Sequence, residues 1–172
     1  MSTALDRRAL WRAYLAIWAL TVATAVLVLL APGAAGHARR MLGFTLTPRR
    51  VDLADAMRVW LTNARFIALL TAAALLASRH RALRLVCDGV VGWAICSNVA
   101  LVGVALGAYS ARAPRWLIHL PLEWAAIAAA LALYLRARRR APSASELAVM
   151  LLAAGAVLTA AAVLETFGTP HR

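Results

Sequence analysis

Three titratable side chains set in apolar stretches, His119, Glu123 and Glu165, are the residues of this sequence best suited to chemistry. On a helix, His119 and Glu123 at i and i+4 lie on one face, one turn apart. A neutral imidazole, that carboxylate and a second carboxylate from Glu165 make a three-ligand set. Such a set can hold a divalent metal such as zinc and leave a position open for water. The same groups can also work as acid and base without a metal, or carry protons or ions in coupled transport. A third arrangement is a hydrogen-bonded network in which Arg65 or His119 neutralises Glu123 and the amides of Asn63 and Asn98 close the remaining bonds. The zinc-protease pattern His-Glu-x-x-His is absent, as is any Cys-x-x-Cys pair, so the residues by themselves leave these readings open.

The elements that must position these groups are set by composition. The chain has 172 residues, 63% hydrophobic and 15% charged. Its mean hydropathy is +0.74. The apolar residues fall into long charge-free blocks, which excludes a soluble globular domain and makes lipid the solvent for most of the surface. Nineteen basic residues stand against seven acidic ones, giving a net charge of +12, and every basic residue is Arg. These arginines cluster at the ends of the apolar blocks (Arg7, Arg8, Arg12; Arg79, Arg81, Arg84; Arg136, Arg138, Arg139, Arg140). Membrane anchoring through the positive-inside bias and anionic lipid explains that placement, and a nucleic-acid partner does not.

The spacing predicts an all-α polytopic bundle in one domain, with spans over about 10–31, 56–78, 85–110, 116–136 and 144–167 and a polar loop over 32–51. The first block is long enough for an anchor rather than a cleaved signal, since nineteen uncharged residues make about 28 Å of helix. Asp52 and Asp55 sit where a helix N-terminus favours carboxylates. The second span is interrupted by Arg58 and Arg65. The third carries Asn98 and the small-residue ladder Ala100, Gly103, Gly107, a helix-contact face for another helix of the same chain or for a second copy in a homodimer. Pro121 is acceptable only in a first helical turn, so the fourth span is expected to start regularly near Leu120, with a broken or re-entrant entry before it. Ser143 and Glu146 form a capping box at the start of the fifth. Cys87 and Cys96, about 13 Å apart on one helix, are packing residues rather than a disulfide.

Depth decides which polar groups can meet. Ionisable groups cost about 2.5 to 3.5 kcal/mol at the centre of a spanning helix, so each one present needs a partner or a role. With alternating spans, His119, Glu123, Glu165, Asn63, Arg65 and Asn98 fall at or on one side of mid-membrane, and Asp88 lies at the opposite end. Three arginine-rich segments, at the amino terminus and around 79–84 and 136–140, share a side, which places the amino terminus inside.

Asn63-Ala64-Arg65, Asn98 in a glycine-rich helix, His119-Leu120-Pro121-Leu122-Glu123 and Glu165-Thr166-Phe167-Gly168-Thr169-Pro170 together resemble the stage II sporulation protein M family, from about residue 55 to the end. The two strongest pieces are similar to the family's Pro-His-Gly-x-x-Glu and Glu-Ala-Phe-x-Thr-Pro motifs. Here Ile118 replaces the first Pro, Leu120 replaces the Gly, and Pro121 is added. The resemblance implies that His119, Glu123 and Glu165 are functional positions, with Asn63 and Asn98 as weaker matches.

One group within that family scaffolds cell-wall hydrolases during sporulation; another consists of short proteins encoded with circular bacteriocins, and the shortness of this chain suits the second. The resemblance then implies a bacterial cell-membrane protein that matures a hydrophobic precursor peptide by leader removal or cyclisation, as an intramembrane peptidase or cyclase. The alternative is a noncatalytic scaffold or immunity protein. No activated Ser or Cys nucleophile accompanies the histidine, which favours attack by water or by a substrate amine.

Overall fold

The computed structural model describes residues 7–42, 52–110 and 118–167. Among them are six helices and no strand: α1 (Arg7–Leu30), α2 (Ala34–Leu42), α3 (Leu53–Ala77), α4 (Arg81–Tyr109), α5 (Leu120–Ala137) and α6 (Ala144–Phe167). Five of these, all but α2, are long and apolar enough to cross a membrane. The expected all-α bundle of five spans is therefore the architecture, with helix ends within a few residues of those read from the sequence.

Local chemistry sets the helix ends. Asp52 caps α3, its Oδ1 accepting from the Asp55 backbone N–H at 2.8 Å. The capping box at the start of α6 is reciprocal: Glu146 N–H donates to Ser143 Oγ at 3.2 Å and Ser143 N–H donates to Glu146 Oε2 at 2.9 Å. Glu146 is further held by Arg136 at 2.8 Å and Arg140 at 2.5 Å, which ties the end of α5 to the start of α6.

Large apolar side chains point outward in a way only lipid tolerates: Trp93 is 75% exposed and Leu152 74%. The bundle interior combines large side chains such as Leu70, Trp124, Ile127, Leu133 and Met150 with many small ones. On α5, the most deeply buried of the five spans, Ala126, Ala128, Ala130, Ala132 and Ala137 are all buried. This helix packs against α1, α3 and α6. Small side chains let those helices approach closely, the main source of cohesion where lipid removes the hydrophobic drive.

The Gly103/Gly107 face is occupied within the chain, by α1, which answers the choice the sequence left open between a helix of the same chain and a second copy. A Cβ built on Gly103 would lie 2.6 Å from the Thr21 carbonyl oxygen and 2.7 Å from Thr24 Cβ. One on Gly107 would meet Ala25 O at 2.6 Å and Val28 Cβ at 2.8 Å. The glycines thus admit α1 running parallel to α4, and a homodimer would have to use another surface.

Helix α2 falls inside the stretch expected to be a polar loop. Gly33, at φ 76°, turns the chain out of α1, and Ala38 then packs inward. Arg39 Nε donates to the Ala108 carbonyl at 2.6 Å, and its guanidinium lies 6.0 Å from the centre of the Tyr109 ring. A cation at the carboxyl end of α4 satisfies a carbonyl left open by helix geometry and complements the macrodipole. Cys87 and Cys96 are free, one buried and one exposed.

Candidate functional site

His119 is the N-cap residue of α5, with Pro121 in the first turn where its missing N–H disturbs nothing. The His119 carbonyl accepts from Leu122 N–H at 3.0 Å and from Glu123 N–H at 3.2 Å, so one turn of backbone fixes the histidine and the glutamate relative to each other. The regular helix begins at Leu120, as Pro121 suggested. The entry expected over 115–119 lies outside the described residues except for Ile118 and His119.

The carboxyl end of α6 supplies the third group. Glu165 Oε2 lies 3.6 Å from His119 Nε2, and Glu123 Oε2 lies 3.9 Å from the same nitrogen. One atom from each of the three residues falls within 4.8 Å of the others. Helix α3 closes the site: Asn63 Nδ2 donates to Glu123 Oε1. Its amide thus occupies one oxygen of Glu123 while the other faces the imidazole. Antiparallel packing of α5 on α6, with α3 against both, accounts for a convergence that sequence separation alone hides.

Burial gives the cluster its force. His119 is 6% exposed, and its Nδ1 finds no hydrogen-bond partner among the described residues. The side chain of Glu123 is 12% exposed and that of Glu165 26%, so the centre has a more open edge on the α6 side. In such surroundings charges act on one another far more strongly than in water.

The other sequence candidates fall elsewhere. Arg65 is exposed, and the partners of Glu123 among the described residues are Asn63 and His119, so Arg65 does not neutralise it. Asn98 is half-buried on α4 and makes no hydrogen bond to the cluster. His37 and His80 are exposed, and His171 lies outside the described residues. Asp88 is at the opposite end, as expected, where it accepts from Tyr134 Oη at 2.6 Å and pairs with Arg138 at 3.0 Å.

Sequence reasoning did not single out Tyr134, nor did it pair Arg136 and Arg140 with Glu146; for Tyr134, a polar tip at the foot of a spanning helix was the available signal. Trp124 was also passed over. It is 1% exposed, next to Glu123, and its indole N–H has no hydrogen-bond partner among the described residues.

The arrangement can bind a cation, or hold a water between a carboxylate and an imidazole and move its proton. The chain matches no protein-family model, and neither the curated proteins nor the solved structures searched include a match to it.

Proposed function

We propose that this is a membrane-embedded maturation protein for a hydrophobic peptide, similar to the stage II sporulation protein M family, acting through His119, Glu123 and Glu165. The observation that carries the reading is the convergence of these three side chains from two antiparallel spans, beneath one end of the bundle. In the reaction a peptide C–N bond breaks and the acyl carbon bonds to water, releasing a leader, or to an incoming amine, joining two ends. The proton lost by the nucleophile passes through a carboxylate or the imidazole to the departing amine. A partly dry site suits acyl transfer to an amine, because water competes less well there.

The protein resides in a bacterial cell membrane with its amino terminus inside, which puts the site toward the outer leaflet. A noncatalytic scaffold or immunity role is the second reading, favoured by the Asn63 to Glu123 hydrogen bond, which knits α3 to α5 as a structural bond would. Transport draws less support. Between Glu123 and Tyr134, α5 carries only Trp124 and aliphatic side chains, so this helix supplies no polar step for an ion.

Co-expression of the full chain with its precursor peptide, followed by mass analysis of the peptide, tests the proposal. Glu123→Gln and Glu165→Gln are expected to abolish processing at unchanged protein level and detergent stability. Processing that declines only in step with protein level supports the scaffold instead.

A further inference from the structure

We infer that His119 Nε2, Glu123 Oε2 and Glu165 Oε2 bind one divalent first-row transition metal of the zinc class, and that Asn63 is the positioning residue that holds Glu123 for it. The assignment rests on the reading of this cluster as the working site and adds the ligand atoms, the class of ion and the role of the amide.

Distance argues first. A tetrahedral ion with bonds of about 2.0–2.1 Å spaces its ligand atoms about 3.3 Å apart. The observed separations from Nε2 are 3.6 and 3.9 Å, and the whole set lies within 4.8 Å. Bringing atoms that all lie within 4.8 Å of one another to that spacing closes each pair by about 1.5 Å or less, a distance within the reach of flexible glutamate side chains.

Donor chemistry selects the ion. One imidazole nitrogen and two carboxylate oxygens match a zinc-type site with three protein ligands and a remaining position for water. Calcium prefers six to eight oxygens, and magnesium prefers oxygen over imidazole.

The surroundings of each ligand fit the same assignment. Asn63 engages Oε1 of Glu123, which leaves Oε2 turned toward His119. Metal-ligating carboxylates are oriented in this way by an outer hydrogen bond. His119 is 6% exposed, so its Nε2 faces the two carboxylates away from bulk water. Two carboxylates brought together in a low-dielectric site repel, and a divalent ion between them reverses the sign of that interaction.

The test uses the purified full chain in detergent. After stripping with a chelator and refilling, elemental analysis is expected to give about one zinc per chain. Cobalt in its place is expected to show the visible absorption of a low-coordinate site, and zinc is expected to raise the thermal midpoint where magnesium and calcium do not. Asn63→Ala is expected to weaken zinc binding about 10- to 100-fold, the range for loss of an outer-shell bond. His119→Ala is expected to abolish the cobalt spectrum.

Wild-type protein that takes up no zinc, shows no cobalt absorption and keeps its midpoint overturns the assignment, without reliance on any variant. Full precursor processing by such metal-free protein would leave the maturation function standing while removing the metal. Stoichiometric zinc in a protein that processes nothing would do the reverse.

Discussion

Glu165 Oε2 stands 3.6 Å from His119 Nε2, although the two residues belong to different helices and are separated by the whole of α5 and α6. The tight connection between those helices brings this about. Arg136 and Arg140 clasp Glu146 at the other end, so the pair descends and returns in register. The ends that carry His119 and Glu165 are thereby held side by side.

That clasp and the chemical site lie at opposite ends of the bundle, so variants at the two ends should behave differently. Tyr134→Phe removes the hydroxyl that donates to Asp88 at 2.6 Å but leaves the Arg138 pair in place. It is expected to lower stability by about 1 kcal/mol, as for a single hydrogen bond, and to leave precursor processing at the wild-type rate. Denaturant titration in micelles beside the processing assay checks both.

Gly103→Ala is expected to destabilise the protein by about 1 to 3 kcal/mol, the usual cost of forcing a methyl into a filled contact. The added carbon would sit 2.6 Å from a backbone oxygen of α1, which no rotamer change relieves. Gly92→Ala provides the contrast: nothing lies within 4 Å of its Cβ position, and it is expected to be neutral or mildly stabilising. Thermal unfolding of both variants in one detergent compares them directly.

Asn63 and Arg65 are two residues apart, about 200° around a helix, so only one of them can face the cluster. Asn63→Ala is expected to reduce processing about 10-fold or more. Arg65→Gln is expected to leave it unchanged. Initial rates with matched protein levels decide the matter, and a large loss from Arg65→Gln would contradict the geometry.

Much of this could be read before any fold was known. Long apolar blocks marked the five spans even where Arg58 and Arg65 interrupt the second, Ser143 with Glu146 marked a helix start, and the alternation of spans predicted that His119, Glu123, Glu165 and Asn63 share a depth. Depth, however, carries no information about rotation. That is why Arg65 and Asn98 were grouped with the site although one is exposed and the other lies on α4, a helix that does not pack broadly against α5. The glycine ladder announced a close contact without naming its partner, because α1 and a second copy would present the same small-residue demand. Helix α2 escaped notice for a different reason. Its nine residues are too few for a periodicity to stand out, and its place is set by tertiary contacts, with α4 above all, where Ala38 is buried and Arg39 bonds the helix end.

The central claim, that His119, Glu123 and Glu165 work as one centre, is tested most directly by a double-variant comparison on precursor processing. Glu123→Gln, Glu165→Gln and the two combined are assayed as purified, folded proteins in lipid vesicles. Residues that act as a unit lose their contribution together, so each single change is expected to cost nearly as much as the pair. Singles that retain wild-type rates, or losses that simply multiply in the double variant, would contradict the account.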